Sequence, residues 1–380
     1  MPSCARADNV LPFALTVPEF PSLTTPSTRH ELLHDILKQV SRSFYLTLNV
    51  LPIGVREQMG LAYLFARAAD TIADTDLIDR AERLKYLNQF REQFMTARID
   101  RKAVQEIQSA LVPHQKDSGE SILLQRLEDC FRLYEECSPD DRKRIQWVIK
   151  VLTEGMEMDL NRFPGQSGNQ LAALSTLDDL DQYTYHVAGC VGDFWTRMIC
   201  AHRPTMGRWD VEEMAAIGVR FGKGLQLTNI LKDIGRDLHN GRCYIPESLL
   251  DEAGLKPANL LNDSSLPKFK PVLDRLIRMA IEHLDQGWIY TMAIPVSEIR
   301  QRLACIWPIL LAGETLRRVA VTPDLLDPAV YVKAPRSEVY RIMTLTTLTC
   351  ANGFVATSYW NRVREQVVSA VEQSQQSRLA

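Results

Sequence analysis

The sequence predicts an all-α protein, a single large helical bundle around a central cavity. From residue 29 onward apolar residues recur at i, i+3 and i+4, the signature of helices that bury one face. Val and Ile do not fall into alternating runs bounded by Asn-Gly turns, so strand signals are weak. Turn pairs such as Pro164-Gly165, Asn240-Gly241 and Thr322-Pro323 fall where the periodic stretches stop. No repeat of roughly 30–45 residues marks a solenoid. No shift of composition marks a linker, so one domain is expected over residues 29–365.

Taken in order, residues 1–28 hold five prolines, several Ser and Thr, and the charges of Asp8 and Glu19. Without an unbroken apolar run they read as a disordered leader rather than a secretory signal. Across 60–75, Leu61, Leu64, Phe65, Ala68, Ala69 and Ile72 make one broad apolar helical face. Stretches 126–134, 142–163, 211–239, 271–291 and 297–319 behave alike. The most apolar segment, 303–313, is about half the length of a bilayer span and contains Pro308, so no integral membrane segment is expected. Residues 366–380, rich in Gln and Ser, read as a polar tail.

Composition narrows the class. At 46% hydrophobic and 24% charged residues the chain has ample material for a core. A net charge of −3 argues against a general nucleic-acid binder. The eight cysteines are scattered without a CxxC pair, which suits buried thiols in a reducing, cytoplasmic compartment. Peripheral contact with a membrane stays open. Metal binding by imidazole is not expected, and no GxGxxG follows a strand to announce a nicotinamide site.

The chemistry is concentrated in two carboxylate pairs, Asp70 with Asp74 and Asp233 with Asp237. On a helix, four-residue spacing puts both carboxylates on one face about 5–6 Å apart at Cβ, where like charges weaken the helix. A hard cation reverses that sign, and Mg²⁺ is usually held by one or two carboxylates with water and substrate phosphates completing the shell. Tyr63, Arg67, Asp70 and Asp74 share one helical stripe; Gln226, Asn229, Asp233 and Asp237 share another. One such stripe alone is equally a solvated face with an Arg67–Asp70 ion pair. Two with matched spacing and a cation beside each point to a hydrated metal-diphosphate site, with the turn at His239-Asn240-Gly241 aiming Arg242 at a phosphate. Ser41-Arg42-Ser43-Phe44 reads as a helix cap or an anion contact, capping being the simpler account. The segment 183–192 mixes aromatics with small residues, which either permit close helix packing or shape a wall for an apolar chain.

These residues together resemble the squalene/phytoene synthase family: SRSF at 41–44, YxxxRxxDxxxD at 63–74, YxxxVAGxVG over 183–192, and QLTNILKDIGRD at 226–237 followed by NGRCYIP. The resemblance covers most of residues 30–250 and implies an isoprenoid-synthase-type fold joining two allylic prenyl diphosphates head to head. Further on, ACIWPILLAGETL at 304–316 and the run Val332-Lys333-Ala334-Pro335-Arg336 resemble the reducing, squalene-forming branch of that family. Thr75 and Arg236 depart from it, standing where an acidic residue is common.

The resemblance implies Mg²⁺ at Asp70, Asp74, Asp233 and Asp237, with Arg42, Ser43, Phe44, Gln226, Asn229, Arg242, Val187 and Gly189 at the substrates. Tyr183, Arg67 and Tyr63 are the implied catalytic residues, Tyr183 assisting proton removal. Lys333 and Arg336 are the implied NADPH contacts. The expected reaction condenses two farnesyl diphosphates through presqualene diphosphate to squalene. The alternative is a non-reducing relative ending at dehydrosqualene, phytoene or presqualene diphosphate. The carboxylates alone would also permit a metal-dependent phosphohydrolase or a helical scaffold without chemistry.

Overall fold

A computed structural model of the chain describes residues 24–41, 44–75, 77–165 and 167–379, with side chains as far as residue 373. Among these residues the fold is all-α, and its only strands are the two-residue segments Ala172–Ala173 and Arg242–Cys243, paired in parallel.

The helix Ile53–Asp74 carries the first aspartate pair and buries its apolar face completely at Leu64, Phe65, Ala68, Ala69 and Ile72. Phe65 anchors an aromatic cluster, with ring centroids 4.9 Å from Phe94 and Phe131 and 5.9 Å from Tyr134. Such pairs add about 0.5–1.5 kcal/mol each beyond the area they bury, which makes this helix a rigid mount. The helix Val211–Lys232 carries the second motif and lies antiparallel to Leu266–Ala293, as Trp209 meets Ala293 at one end and Gly224 faces His283 further along. A second apolar cluster gathers around Leu266–Ala293, Ile299–Val321 and Gly353–Leu379, including Trp307 and Trp360.

Close approach of backbones sets the cavity's width. A Cβ on Gly192 would fall 1.9 Å from the Gly218 carbonyl oxygen, and one on Gly222 2.3 Å from that of Ala188. The glycines of the 183–192 segment therefore serve helix packing, Gly192 also lining the inner chamber, while a π-helical turn, Tyr185–Gly189, rotates Val187 and Ala188 toward the cavity.

Three boundaries differ from expectation. The leader expected over 1–28 lies mostly outside the described residues, but its last part is packed: the Thr24 hydroxyl donates to Glu136 at 2.8 Å, and a helix Pro26–His30 starts on the Thr25 cap. The tail expected at 366–380 instead continues the helix Gly353–Leu379, because Val367, Ala370 and Val371 sit three and four residues apart and bury against the second cluster. The stretch 211–239 breaks at Asp233, whose φ of −102° and ψ of 10° end one helix before Ile234–His239 begins. The helix Arg80–Met95 escaped the periodicity reading because its inner face includes buried Arg83 and Gln93 among the aromatics.

Candidate active site

The first stripe forms as its spacing predicts. Arg67 donates to the Asp70 carboxylate at 2.6 Å and to the Tyr63 hydroxyl at 3.4 Å, and Glu120 approaches it at 3.9 Å. Tyr63 stacks on Phe44, centroids 5.5 Å apart, so the basic end of the stripe is seated on an aromatic wall. Asp70 keeps 44% of its side-chain surface accessible and lines the cavity. Desolvation first, and then the Asp74 charge, push its carboxyl to about 6 against the pull of Arg67. Thr75 is not a substitute ligand: its buried hydroxyl donates to the Thr71 carbonyl at 2.6 Å and accepts from Gln115.

The second stripe faces the first across the cavity. Gln226 and Asn229 line it, Lys232 reaches Asp233 at 3.4 Å, and Arg236 reaches the same carboxylate at 2.9 Å. The helix break at Asp233 is accommodated by Gly235, where a Cβ would fall 2.7 Å from the Leu326 carbonyl oxygen. Asp237 is pushed to about 7, by desolvation and then by Asp233, with Arg236 and Arg242 opposing. Two carboxyls pushed up by burial and by a neighbouring carboxylate mark a partly enclosed site that calls for positive charge.

Arg242 partly supplies it. Gly241, at φ 82°, turns the chain, and pairing of Arg242–Cys243 with Ala172–Ala173 fixes the strand that presents the guanidinium. Arg242 lies 3.6 Å from Asp74 and 3.6 Å from Asp159. Burial opposes its charge, but Asp159, Tyr244 and Asp74 outweigh that and hold it protonated. Asp159 accepts from the Tyr244 hydroxyl at 2.7 Å, and Tyr244 stacks on Tyr183 with centroids 4.7 Å apart. Burial, then the Asp159 charge, keep the Tyr183 phenol far from ionising. Asp159, Tyr244 and Glu120 escaped the sequence reading. Asp159 and Tyr244 meet from 85 residues apart, and the one available signal was that Tyr244 follows Arg242 by two.

Below this polar mouth the cavity is apolar. A chamber of about 470 Å³ adjoins a second of about 230 Å³, and Phe44, Val187, Val191, Trp195, Gln226 and Asn229 line both. The smaller chamber ends against Tyr290, Cys305 and Pro308.

Of the expected site residues, Phe44, Tyr63, Arg67, Asp70, Val187, Gln226 and Asn229 line the cavity, while Asp74, Asp237, Arg242 and Tyr183 gather around Asp159 beside it. Gly189 does not reach the cavity; it is buried against Val219, 3.2 Å from where its Cβ would be, because the π turn directs its neighbours inward instead. Arg42 and Ser43 lie outside the described residues. Lys333 sits at the rim: its Nζ lies 5.1 Å over Tyr331, whose ring also meets Arg236, 5.8 Å away, the partner of Asp233. Arg336 is exposed at the start of the helix Arg336–Thr349. Among the described residues no three His, Cys, Asp or Glu side chains converge on one ion position. Two separated aspartate pairs suit Mg²⁺, which takes few protein ligands and shares its shell with phosphate oxygens.

One run, His30-Glu31-Leu32-Leu33-His34, matches the HExxH zinc-hydrolase spacing. Here the imidazoles stack on each other at 4.6 Å and Glu31 is taken by Arg126 at 2.6 Å, so the base and third ligand of such a site are missing among the described residues.

Comparison with known proteins is consistent with this geometry. A family model described as squalene/phytoene synthase matches residues 37–338. A bifunctional lycopene cyclase/phytoene synthase of Arthroderma gypseum is 30% identical over 248 residues, 64% of this chain and 39% of that protein. A squalene synthase of Cyberlindnera jadinii is 27% identical over 306 residues, 79% of this chain and 64% of that one. The chain thus spans less than two thirds of either relative. The solved complex of TcSQS with the ligand BPH1237 superposes with a TM-score of 0.69 at 20% identity, over 92% of this chain and 99% of that one. Among the described residues no helix is long and apolar enough to cross a membrane.

Proposed function

We infer, from the premise that this chain belongs to the squalene/phytoene synthase family, that it joins two farnesyl diphosphates head to head and reduces the product to squalene. The observation that carries the reading is a two-chambered apolar cavity with Asp70 in its wall opposite Gln226 and Asn229, and Arg242 beside it joining Asp74 to the charge of Asp237. One polar end for two diphosphates and two adjoining chambers for two prenyl chains is what such a condensation needs.

Asp70, Asp74, Asp233 and Asp237 would hold Mg²⁺, which supplies charge neutralisation to the departing diphosphate. Arg67 and Arg242 add fixed positive charge at the same place, and Gln226 and Asn229 offer hydrogen bonds to its oxygens. Loss of diphosphate leaves an allylic cation, and the walls formed by Phe44, Val187, Val191 and Trp195 keep water from quenching it. The second substrate's double bond attacks that cation, forming the new carbon–carbon bond. Loss of a proton then closes a cyclopropane ring, giving presqualene diphosphate. Tyr183 assists that proton loss, its phenol oriented by the stack on Tyr244 and by Asp159. Lys333 and Arg336 would hold the phosphates of NADPH, which would supply the hydride for the reduction to squalene. The contact chain Lys333–Tyr331–Arg236–Asp233 supports a cofactor at the rim of the second pair.

A second reading, a non-reducing synthase, is favoured by the phytoene-synthase relative and by the exposure of Arg336, which makes no hydrogen bond or ion pair among the described residues. Incubating the protein with farnesyl diphosphate and Mg²⁺, with and without NADPH, separates the two. Squalene formed only with NADPH is expected. Condensation products that ignore NADPH place the chain in the non-reducing branch, and no condensation with either farnesyl or geranylgeranyl diphosphate overturns the reading.

A further inference from the structure

The inner chamber is bounded on several sides by groups that cannot yield. One side is backbone: Gly192, Gly218 and Gly222 line it where two helices already touch, so nothing there can be pushed back. Its end is Tyr290, fully buried, hydrogen-bonded through its hydroxyl to Thr196 at 3.0 Å and set edge-on to Trp209 with ring centroids 5.3 Å apart. Pro308 adds to that end from within the helix Ile299–Val321. Phe221 lines this chamber alone and is wedged onto Gly287, where a Cβ would fall 2.6 Å from its ring.

The boundary between the chambers is built differently. Of the side chains that line both, Gln226 and Asn229 are polar, and Phe44 is stacked on Tyr63 of the first stripe. The other three, Val187, Val191 and Trp195, follow one another at intervals of four along one helical stripe, about 12 Å from first to last. Tyr183 begins the same stripe beside Asp159, so Trp195 is its far end. The two valines are slender; Trp195 presents an indole to both chambers. That indole is half-buried, and its Nε1–H is buried without a hydrogen-bond partner among the described residues. An orphaned N–H inside a protein costs about 1–3 kcal/mol, which Leu or Phe at the same place would avoid. A wall that had only to be apolar gains nothing from such a group, so what the site retains in Trp195 is its bulk.

We propose that Trp195 sets the chain length this cavity accepts: its indole divides the apolar space and excludes prenyl chains one isoprene unit longer than farnesyl. The proposal rests on the prenyl-diphosphate reading of the site. An isoprene unit is smaller than an indole, so Trp195→Ala opens room for one while loosening the fit around farnesyl. The full chain and its variants Trp195→Ala, Trp195→Leu and Trp195→Phe are each given Mg²⁺ with farnesyl or geranylgeranyl diphosphate, and kcat/KM is read for both. Farnesyl diphosphate is expected to lead in the wild type. Trp195→Ala should raise the geranylgeranyl-to-farnesyl ratio at least about tenfold, the least that one methylene is worth in an apolar pocket. Trp195→Leu and Trp195→Phe should fall between in order of size, and they carry the test if Trp195→Ala does not fold, as circular dichroism reads. The same order is expected without metal or turnover, in the rise of Tm that each diphosphate produces. A wild type that takes both substrates equally, or a folded Trp195→Ala with an unchanged ratio, overturns the proposal and leaves the condensation reading standing. So does Trp195→Leu losing both substrates alike while Trp195→Phe keeps them, because the indole then acts through its aromatic face. A wild type that condenses neither substrate overturns the condensation reading. The proposal then stands only on metal-free Tm rises that favour farnesyl in the wild type and geranylgeranyl in Trp195→Ala, and falls without them.

Discussion

Replacing Asp237 with Asn should remove activity and yet stabilise the unliganded protein. The carboxyl of Asp237 is carried from 3.8 to about 7 in the fold, by desolvation and then by Asp233. Below 3.8 it is protonated whether folded or not and costs nothing. As pH rises from there toward 7, the unfolded chain gives up the proton and the folded one retains it, so the folded state loses its advantage step by step. Above 7 the ionised group is buried at a full penalty of about 4 kcal/mol, or about 2 kcal/mol once partial solvent screening is allowed for. With a transition entropy of about 2.1 cal/mol/K per residue, relieving it should raise Tm by about 3–5 °C at pH 8. At pH 4 the difference should all but vanish. Adding Mg²⁺ with inorganic diphosphate should raise the wild-type Tm and narrow the gap, because ligands of the folded state stabilise it by mass action and Asn offers no charge to the ion. Thermal unfolding of both proteins at the two pH values, with and without these ligands, reads all of this. A variant no more stable than wild type at pH 8, or a gain that persists undiminished at pH 4, would refute the electrostatic account of the site.

Asp70→Asn or Asp233→Asn should abolish condensation while leaving the far-ultraviolet circular dichroism unchanged; near-normal product formation in either would sink the metal assignment. Arg242→Gln withdraws the cation between Asp74 and Asp159 and should lower kcat by about a hundredfold or more, with little change in helix content. Gly192→Ala forces a methyl group to within 1.9 Å of the Gly218 carbonyl, so a loss of at least about 1–3 kcal/mol by denaturant unfolding is expected; unchanged stability would show that the two helices separate freely. Replacing Lys333 and Arg336 together with Ala should spare presqualene diphosphate formation and cut squalene yield at limiting NADPH. An unchanged yield would assign both residues to solvated surface.

Much of the site could be read locally because its chemistry is written at helical spacing. Tyr63, Arg67, Asp70 and Asp74 fall three and four apart on one rigid helix, so periodicity alone placed them on one face, and the Arg67–Asp70 contact follows from that spacing. The same rule put Gln226, Asn229 and Asp233 together, and went astray at the break after Lys232, past which Gly235 packs so closely on the Leu326 carbonyl that a Cβ would fall 2.7 Å from it. The Asp159–Tyr244–Tyr183 cluster was beyond local reading for the same reason: strand pairing of Ala172–Ala173 with Arg242–Cys243 carries Tyr244 to a helix 85 residues away. Gly189 and Gly192 show the limit most plainly. Their small size was visible in the sequence, but whether it served a substrate or a neighbouring helix depended on which backbone approached, and only tertiary packing decides that. Local spacing determines what a helix presents on each face. Which faces meet, how far apart they stand and what charge accumulates between them are decided by contacts distant in sequence.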